Sequence, residues 1–244
     1  MGDVARISII NEDILYKLFG VNAELLIDHS WGWEPCTIKN IKDYKPNKNS
    51  ISIGQVLKKP YNYENTKIIV KEMAEQLSLN LTKKNLVTSQ IVLTIGYDIN
   101  NLKNMSIKEK YKGEIVLDIY GRKIPKHAHG TINLESKTNL AKYIMENAII
   151  LYDKIVNKNL YVRRINIVAN DVENSFDFLK NNNYEQMSLF VDYDDKRKNN
   201  ESKIQKTILY IKEKYGKNAI LKCMDLQEMA TTFERNNSIG GHRS

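Results

Sequence analysis

The chain has 244 residues, 42% of them hydrophobic, and carries 37 Lys and Arg against 29 Asp and Glu for a net charge of +8 and a pI near 9.2. That is enough chain for one large or two modest domains, and it is too apolar for a disordered one. No apolar run approaches the ~20 residues of a membrane span, and MGDVARISII lacks the basic start, apolar middle and small-residue cleavage site of a signal peptide, so a cytoplasmic protein with no membrane partner is expected.

Through about Glu34 the pattern is helical. Ile14, Leu15, Leu18 and Phe19 recur at helical spacing, Gly20 breaks the run, and Ala23, Leu25, Leu26, His29 and Trp33 resume it. Residues 1–35 are therefore read as a small unit of two or three helices. Residues 36–49 are rich in Lys and Asn, have no sustained period and contain Pro46, which reads as a linker.

From Ser50 the pattern becomes α+β. Ser50 to Lys58 alternates around Ile51 and Ile53 and then Val56, giving a first strand that ends at Pro60. Tyr63 to about Lys83 carries Ile69, Met73, Leu77 and Leu81 every four residues with Val70 and Ala74 beside them, a long amphipathic helix. Leu86 to Tyr97 is a second strand with Ile91, Leu93 and Ile95 turned inward against Val92 and Thr94. Asp98 to Lys112 reads as loop, and Gly113 to Ile124 as a strand with a turn at Gly121. Lys126 to Leu134 is a further strand. Ser136 precedes a helix with Leu140, Ile144, Ala148, Leu151 and Ile155 on its buried side. In Leu160 to Asn170, Ile165, Ile167 and Ala169 face one way while Arg164, Asn166 and Val168 face the other.

The order strand, helix, strand, strand, helix, strand is a split βαβ antiparallel sheet with two helices on one face, assigned to residues 50–173. Its other face is left uncovered, and there Arg164, Asn166, Thr94 and His129 or Thr131 can gather. Residues 174–244 form a partly helical tail with a charge run and a helix from about Ser202 to Lys214, in which Ile204, Ile208 and Ile211 share one side.

Catalytic motifs are missing. There is no GxxxxGK[ST], GxGxxG or GxSxG, and no paired carboxylates stand at the end of a strand; Asp118 reads as a solvent-facing strand residue, and Asp192, Asp194 and Asp195 run into Lys196, Arg197 and Lys198. Cys36 and Cys223 are far apart and read as reduced thiols. His29, His127, His129 and His242 lack cysteine partners at ligand spacing, so no metal site and no cofactor are expected.

The basic charge makes nucleic acid a plausible partner, and a sheet contacts phosphates best through short polar side chains, backbone amides and cations. The candidates for DNA binding are Ser52, Gly54 and Gln55 on the first strand, Lys126, His129, Gly130 and Thr131 on the third, and Arg163 and Arg164 on the last. The alternative for Arg163 or Arg164 is that it guards a sheet edge. In the tail, Gln186, Met187, Ser188, Leu189 and Phe190 stand between polar flanks. They resemble the bacterial sliding-clamp-binding peptide, usually Gln-Leu-x-Leu-Phe, with Met187 in place of the usual Leu. The alternative is a short strand with Met187 and Leu189 on one face and Ser188 and Phe190 on the other.

Several segments in order, DYKPNKNSISIGQVL (43–57), QIVLTIGYD (90–98), HAHGTINLE (127–135) and YVRRINIVANDV (161–172), resemble the C-terminal half of a Y-family translesion DNA polymerase of the UmuC/DinB-like, Gram-positive type. They are similar to the tether and sheet of its little-finger domain. LYKLFGVNAELLIDHSWG (15–32) is similar to the later thumb helices, and MATTFERNNSIGGHRS to the family's tails. The resemblance implies a module that grips primer-template duplex through its sheet and recruits the sliding clamp through Gln186–Phe190. The palm and fingers have no counterpart, so the chain is not expected to polymerise by itself, and Mg is implied only for the missing palm. Either a piece of a longer enzyme or a truncated gene product fits this reading. The rival is a stand-alone interaction protein that docks on the clamp without gripping DNA.

Overall fold

The computed structural model describes residues 1–20, 22–44, 50–118, 121–176, 193–239 and 242–243. By packing, the chain divides into two compact units, Met1–Lys48 and Asn49–Ser244.

In the first unit, α1 (Gly2–Asn11), α2 (Asp13–Phe19) and α3 (Asn22–Ser30) realise the helical pattern. Gly20 ends α2 at a φ of 57°, its N–H donating to the Tyr16 carbonyl at 2.8 Å, a conformation that favours glycine. The expected linker contains a short α4 (Ile38–Asp43), because Thr37 Oγ1 accepts from the Asn40 N–H at 3.2 Å and starts a helical turn. Among the described residues of this unit only Leu15 and Ala23 are buried apolar residues. Leu18, Leu25 and Trp33 remain exposed.

The second unit is built on a four-stranded antiparallel sheet in the order β1-β6-β2-β5. Its strands are β1 (Ile51–Tyr61), β2 (Leu86–Tyr97), β5 (Ala128–Thr138) and β6 (Val162–Asn174). The helices α5 (Tyr63–Lys83) and α7 (Ala141–Ile155) follow β1 and β5. Ile69, Val70, Met73, Ala74, Leu77 and Leu81 of α5 and Ile144, Ala148 and Leu151 of α7 close over Ile91, Leu93, Ile95, Ile165, Ile167 and Ala169 to form the core. Asn62 caps α5, its side chain accepting from the Asn65 N–H at 2.9 Å.

Several expected boundaries move. The segment read as loop from Asp98 contains a 3-10 turn (Ile99–Leu102) and α6 (Met105–Lys110), started by the side chains of Asp98 and Asn104, which accept from the Asn100 and Ser106 N–H groups. The turn at Gly121 (φ 73°) joins β3 (Ile115–Leu117) to β4 (Lys123–Pro125) as a separate two-stranded hairpin. Asp118 is its turn residue and not a solvent-facing strand position: its carboxylate accepts from the Arg122 N–H at 2.9 Å and from Nε at 2.7 Å. Ser136 belongs to β5, which runs to Thr138 before α7 begins.

After residue 193 the described chain packs back on the helices. The helix α8 (Tyr193–Tyr215) takes in the charge run from Asp194 onward and does not bury the expected Ile204, which is 59% exposed. Gln205, one residue on and 4% exposed, faces inward instead, because its amide satisfies Ser78, Thr82 and the Asn139 carbonyl while its oxygen accepts from the Ala141 N–H. A 3-10 turn (Cys223–Leu226) and α9 (Thr232–Asn236) follow, then the short strands β7 (Ser238–Ile239) and β8 (His242–Arg243). The buried Glu72 carboxylate on α5 accepts from the backbone N–H groups of Thr231 and Thr232 and from the Thr231 hydroxyl, all within 3.1 Å.

Candidate nucleic-acid interface

The buried members of β1, β2 and β6 and the half-buried alternate residues of β5 lie on the helix side, and the register sets what the opposite face displays. Along β6 this face carries Arg164, Asn166, Val168 and Asn170. Across the sheet, Asn166 is flanked by Gly54 and Thr94, and Thr94 by His129; Val168 is flanked by Ser52 and Val92, and Val92 by Thr131. Arg164 lies between Val56 and Gly96, and Asn170 opposes Gln90, which opposes Asn133. Four strands make a surface about 15 Å across, the scale of a duplex groove.

Local bonds hold the polar side chains of this face in place. Thr94 Oγ1 and His129 Nδ1 are 2.9 Å apart. The Asn170 amide donates to Gln90 at 3.1 Å and the Gln90 amide donates to Asn133 at 2.9 Å, a row of amides linking three strands. A β-carbon at Gly54 would lie 3.4 Å from Asn166 Oδ1, so the glycine leaves that amide room.

The structure sorts the expected DNA contacts. Ser52, Gly54, His129, Thr131 and Arg164 share the open face. Gln55 does not: alternation from Ile51 puts Ile51, Ile53, Gln55 and Leu57 on the covered side, so Val56 is exposed and Gln55 bonds to Thr231 and Arg235. Gly130 also turns to the helices, where a β-carbon would lie 2.8 Å from Ile155 Cγ2 and 3.0 Å from Leu151 Cδ1. Lys126 precedes β5 and pairs with Glu114 of the hairpin segment at 2.6 Å.

Arg163 and Arg164 part company at a β-bulge. Val162 pairs with Tyr97 and Arg164 with Gly96, so β6 holds one extra residue here and Val162 and Ile165 are both buried. Arg163 is that extra residue. Its guanidinium donates to the Lys58 carbonyl at 2.9 Å and stands 4.0 Å from Asp98, binding the sheet together. Arg164 is exposed and has no ion-pair partner among the described residues. At the far end of the sheet Lys137 pairs with Glu173 at 2.8 Å, and this bond raises the lysine pKa above its ordinary value. Sequence reasoning placed Val92 on this face with Thr94 but missed Val56, Gln90, Gly96, Asn133 and Asn170. The same alternation that placed Asn166 would have found them once the strand ends were known.

This arrangement of amides, hydroxyls, an imidazole and the Arg164 guanidinium suits oxygen acceptors. Among the described residues no group of three or more His, Cys, Asp or Glu side chains could hold a metal ion, and no helix is long and apolar enough to cross a membrane. The peptide Gln186–Phe190 lies outside the described residues. The profile of the impB/mucB/samB family C-terminal domain matches residues 48–189, which fits the little-finger region of a Y-family DNA polymerase. No curated protein matched the chain.

Proposed function

The chain belongs to the impB/mucB/samB family, residues 48–189 being its C-terminal domain, and on that premise we propose that it is the DNA-gripping and clamp-recruiting portion of a translesion polymerase. The observation that carries the reading is the uncovered sheet face, polar apart from Val56, Val92 and Val168, with Arg164 displayed free of any acidic partner among the described residues. Ser52, Thr94, His129, Thr131 and Asn166 contribute short donors that fix a phosphate backbone without reading bases, and Arg164 contributes the charge. Such binding is sequence-independent and weakens as salt rises, because each neutralised phosphate releases counterions.

Residues 1–35 are read as a thumb remnant and Gln186, Met187, Ser188, Leu189 and Phe190 as the clamp peptide. Leu189 and Phe190 would fill an apolar groove on the clamp and the Gln186 amide would bond at its rim. The described chain is anchored on both sides of this peptide. Ser175 donates to the Asn85 carbonyl at 2.9 Å, and Gln205 ties α8 to the Asn139–Ala141 turn. Nucleotidyl transfer and the metal it uses would belong to the palm of a complete enzyme.

Fluorescence anisotropy with a labelled primer-template duplex at several salt concentrations tests the reading. Salt-sensitive binding that different duplex sequences share supports it. No binding at low salt, with clamp binding intact, would leave the stand-alone clamp partner as the correct description.

A further inference from the structure

Among the described residues no strand pairs with the outer edge of β5, which runs 11 residues from Ala128 to Thr138. Proteins usually blunt such an edge with lysine, proline or a bulge. From Ala128 to Asn133 the register with β2 is unbroken, and neither Lys nor Pro occurs there; the shift in register and Lys137 both fall beyond Asn133, toward the end of the strand. The edge is a template for another strand.

The sequence along this edge is complementary to itself. About a two-fold axis through Thr131, an antiparallel copy would set His127 opposite Glu135, His129 opposite Asn133, Ala128 opposite Leu134 and Gly130 opposite Ile132. A small residue then meets a large one twice on the helix side. A basic-capable side chain meets an acidic one at each end.

The helix above the strand carries the same axis. Tyr152 and Asp153 turn toward α5, where Tyr152 donates to the Tyr63 carbonyl at 2.9 Å and Asp153 pairs with Lys67 at 2.7 Å. Ile150, two residues from Tyr152 and so roughly 160° round the helix from it, lies on the side of α7 turned away from that contact, and it is 59% exposed. The Gly130 contacts with Leu151 and Ile155, together with the antiparallel run of α7 over β5, set Thr131 beneath the turn at Ile150 and Leu151. An axis through Thr131 thus brings Ile150 to its own copy and sets Glu146 opposite Lys154. Lys154 has no ion-pair partner among the described residues, and Glu146 has Lys142 at 3.9 Å, one turn back on its own helix. Among the described side chains, those of the neighbouring α8 meet this flank near Tyr143, where the Lys198 ammonium is 6.0 Å from the ring, two helical turns from Ile150.

We propose that the outer edge of β5 and the flank of α7 around Ile150 form an isologous interface between two copies of this chain, joining their sheets into one of eight strands. The strand and the helix reach the same axis from different residues, and the charge pairing at Glu146 and Lys154 selects a second copy as the occupant. Pairing in this sense continues the open face across both copies and leaves Arg164, two strands away on β6, uncovered.

Sedimentation equilibrium of the full chain across micromolar concentrations tests the proposal. A dimer is expected, and Ile150→Asp, at an exposed position, should weaken it at least about tenfold while circular dichroism stays unchanged. Glu146→Lys alone and Lys154→Glu alone should each weaken it, and the double exchange should restore it. A chain that stays monomeric throughout, a dimer indifferent to Ile150→Asp, or a double exchange that recovers nothing would overturn the proposal.

Discussion

A β-carbon at Gly96 would lie 3.2 Å from the Arg164 Cβ, tighter than side chains on neighbouring strands ordinarily approach. The glycine lets the stem of Arg164 settle at the bulge, so that the guanidinium is presented from the plane of the sheet. Arg164→Ala is accordingly expected to weaken duplex binding alike for all sequences and to lower the slope of log affinity against log salt by about 1. Anisotropy titrations at several ionic strengths measure this. An unchanged slope would remove Arg164 from the interface.

The opposite faces of β5 should respond differently to small changes. Gly130→Ala presses a methyl into Ile155 and Leu151 and should cost about 1–3 kcal/mol, the usual toll of overpacking. Thr131→Ala, one residue on and exposed, should change stability by no more than about 0.5 kcal/mol. Urea unfolding of both variants checks the pair. Equal effects would contradict the assigned register.

Glu72 holds the segment after α8 to the domain. Its carboxylate, 2% exposed, accepts from Thr231 and Thr232, and Glu72→Ala leaves those N–H groups without it. Loss of these charge-assisted bonds should cost about 1.5–3 kcal/mol. Hydrogen exchange should speed up first in residues 228–237. Uniform acceleration across the sheet would instead make Glu72 a part of the core.

Burial raises the pKa of Glu75 above its ordinary value of 4.5, and Lys222, 3.3 Å away, offsets this only in part. As pH rises above 4.5 the unfolded chain ionises this group first, so the folded state loses stability until pH passes the raised folded value. Glu75→Gln should therefore gain on the parent chain across that window and hold the gain above it. Chemical denaturation at a series of pH values reads the difference; a gap that shrinks as pH rises would reverse the sign and the explanation.

Leu189→Ala with Phe190→Ala should abolish binding to the sliding clamp and leave folding and duplex binding as they were. Surface plasmon resonance on immobilised clamp, alongside the anisotropy assay, separates the two activities. An insoluble double variant would mark these side chains as core.

Much of the domain was legible because its periods are clean. Ile69, Met73, Leu77 and Leu81 recur at helical spacing and become fully buried, and Ile165, Ile167 and Ala169 alternate with Arg164, Asn166 and Val168 as the sheet requires. Ile204 misled for a different reason. Its stripe with Ile208 and Ile211 looked like a buried face, but α8 is oriented by Gln205, whose hydrogen bonds to α5 and the turn before α7 join residues more than sixty positions away. Periodicity measures apolar repetition and is blind to a buried amide that finds four partners.

Local patterns sufficed for the split βαβ order, the inward faces of its central strands and the family likeness, since hydrophobic alternation and helical spacing act between residues close in the chain. Which polar residues share the open face was settled only across strands. Arg163 and Arg164 separated at one bulge, and Gln90, Asn133 and Asn170 met from three strands. Each of these placements depends on pairing between distant segments, where a shift of one residue turns a side chain to the other face.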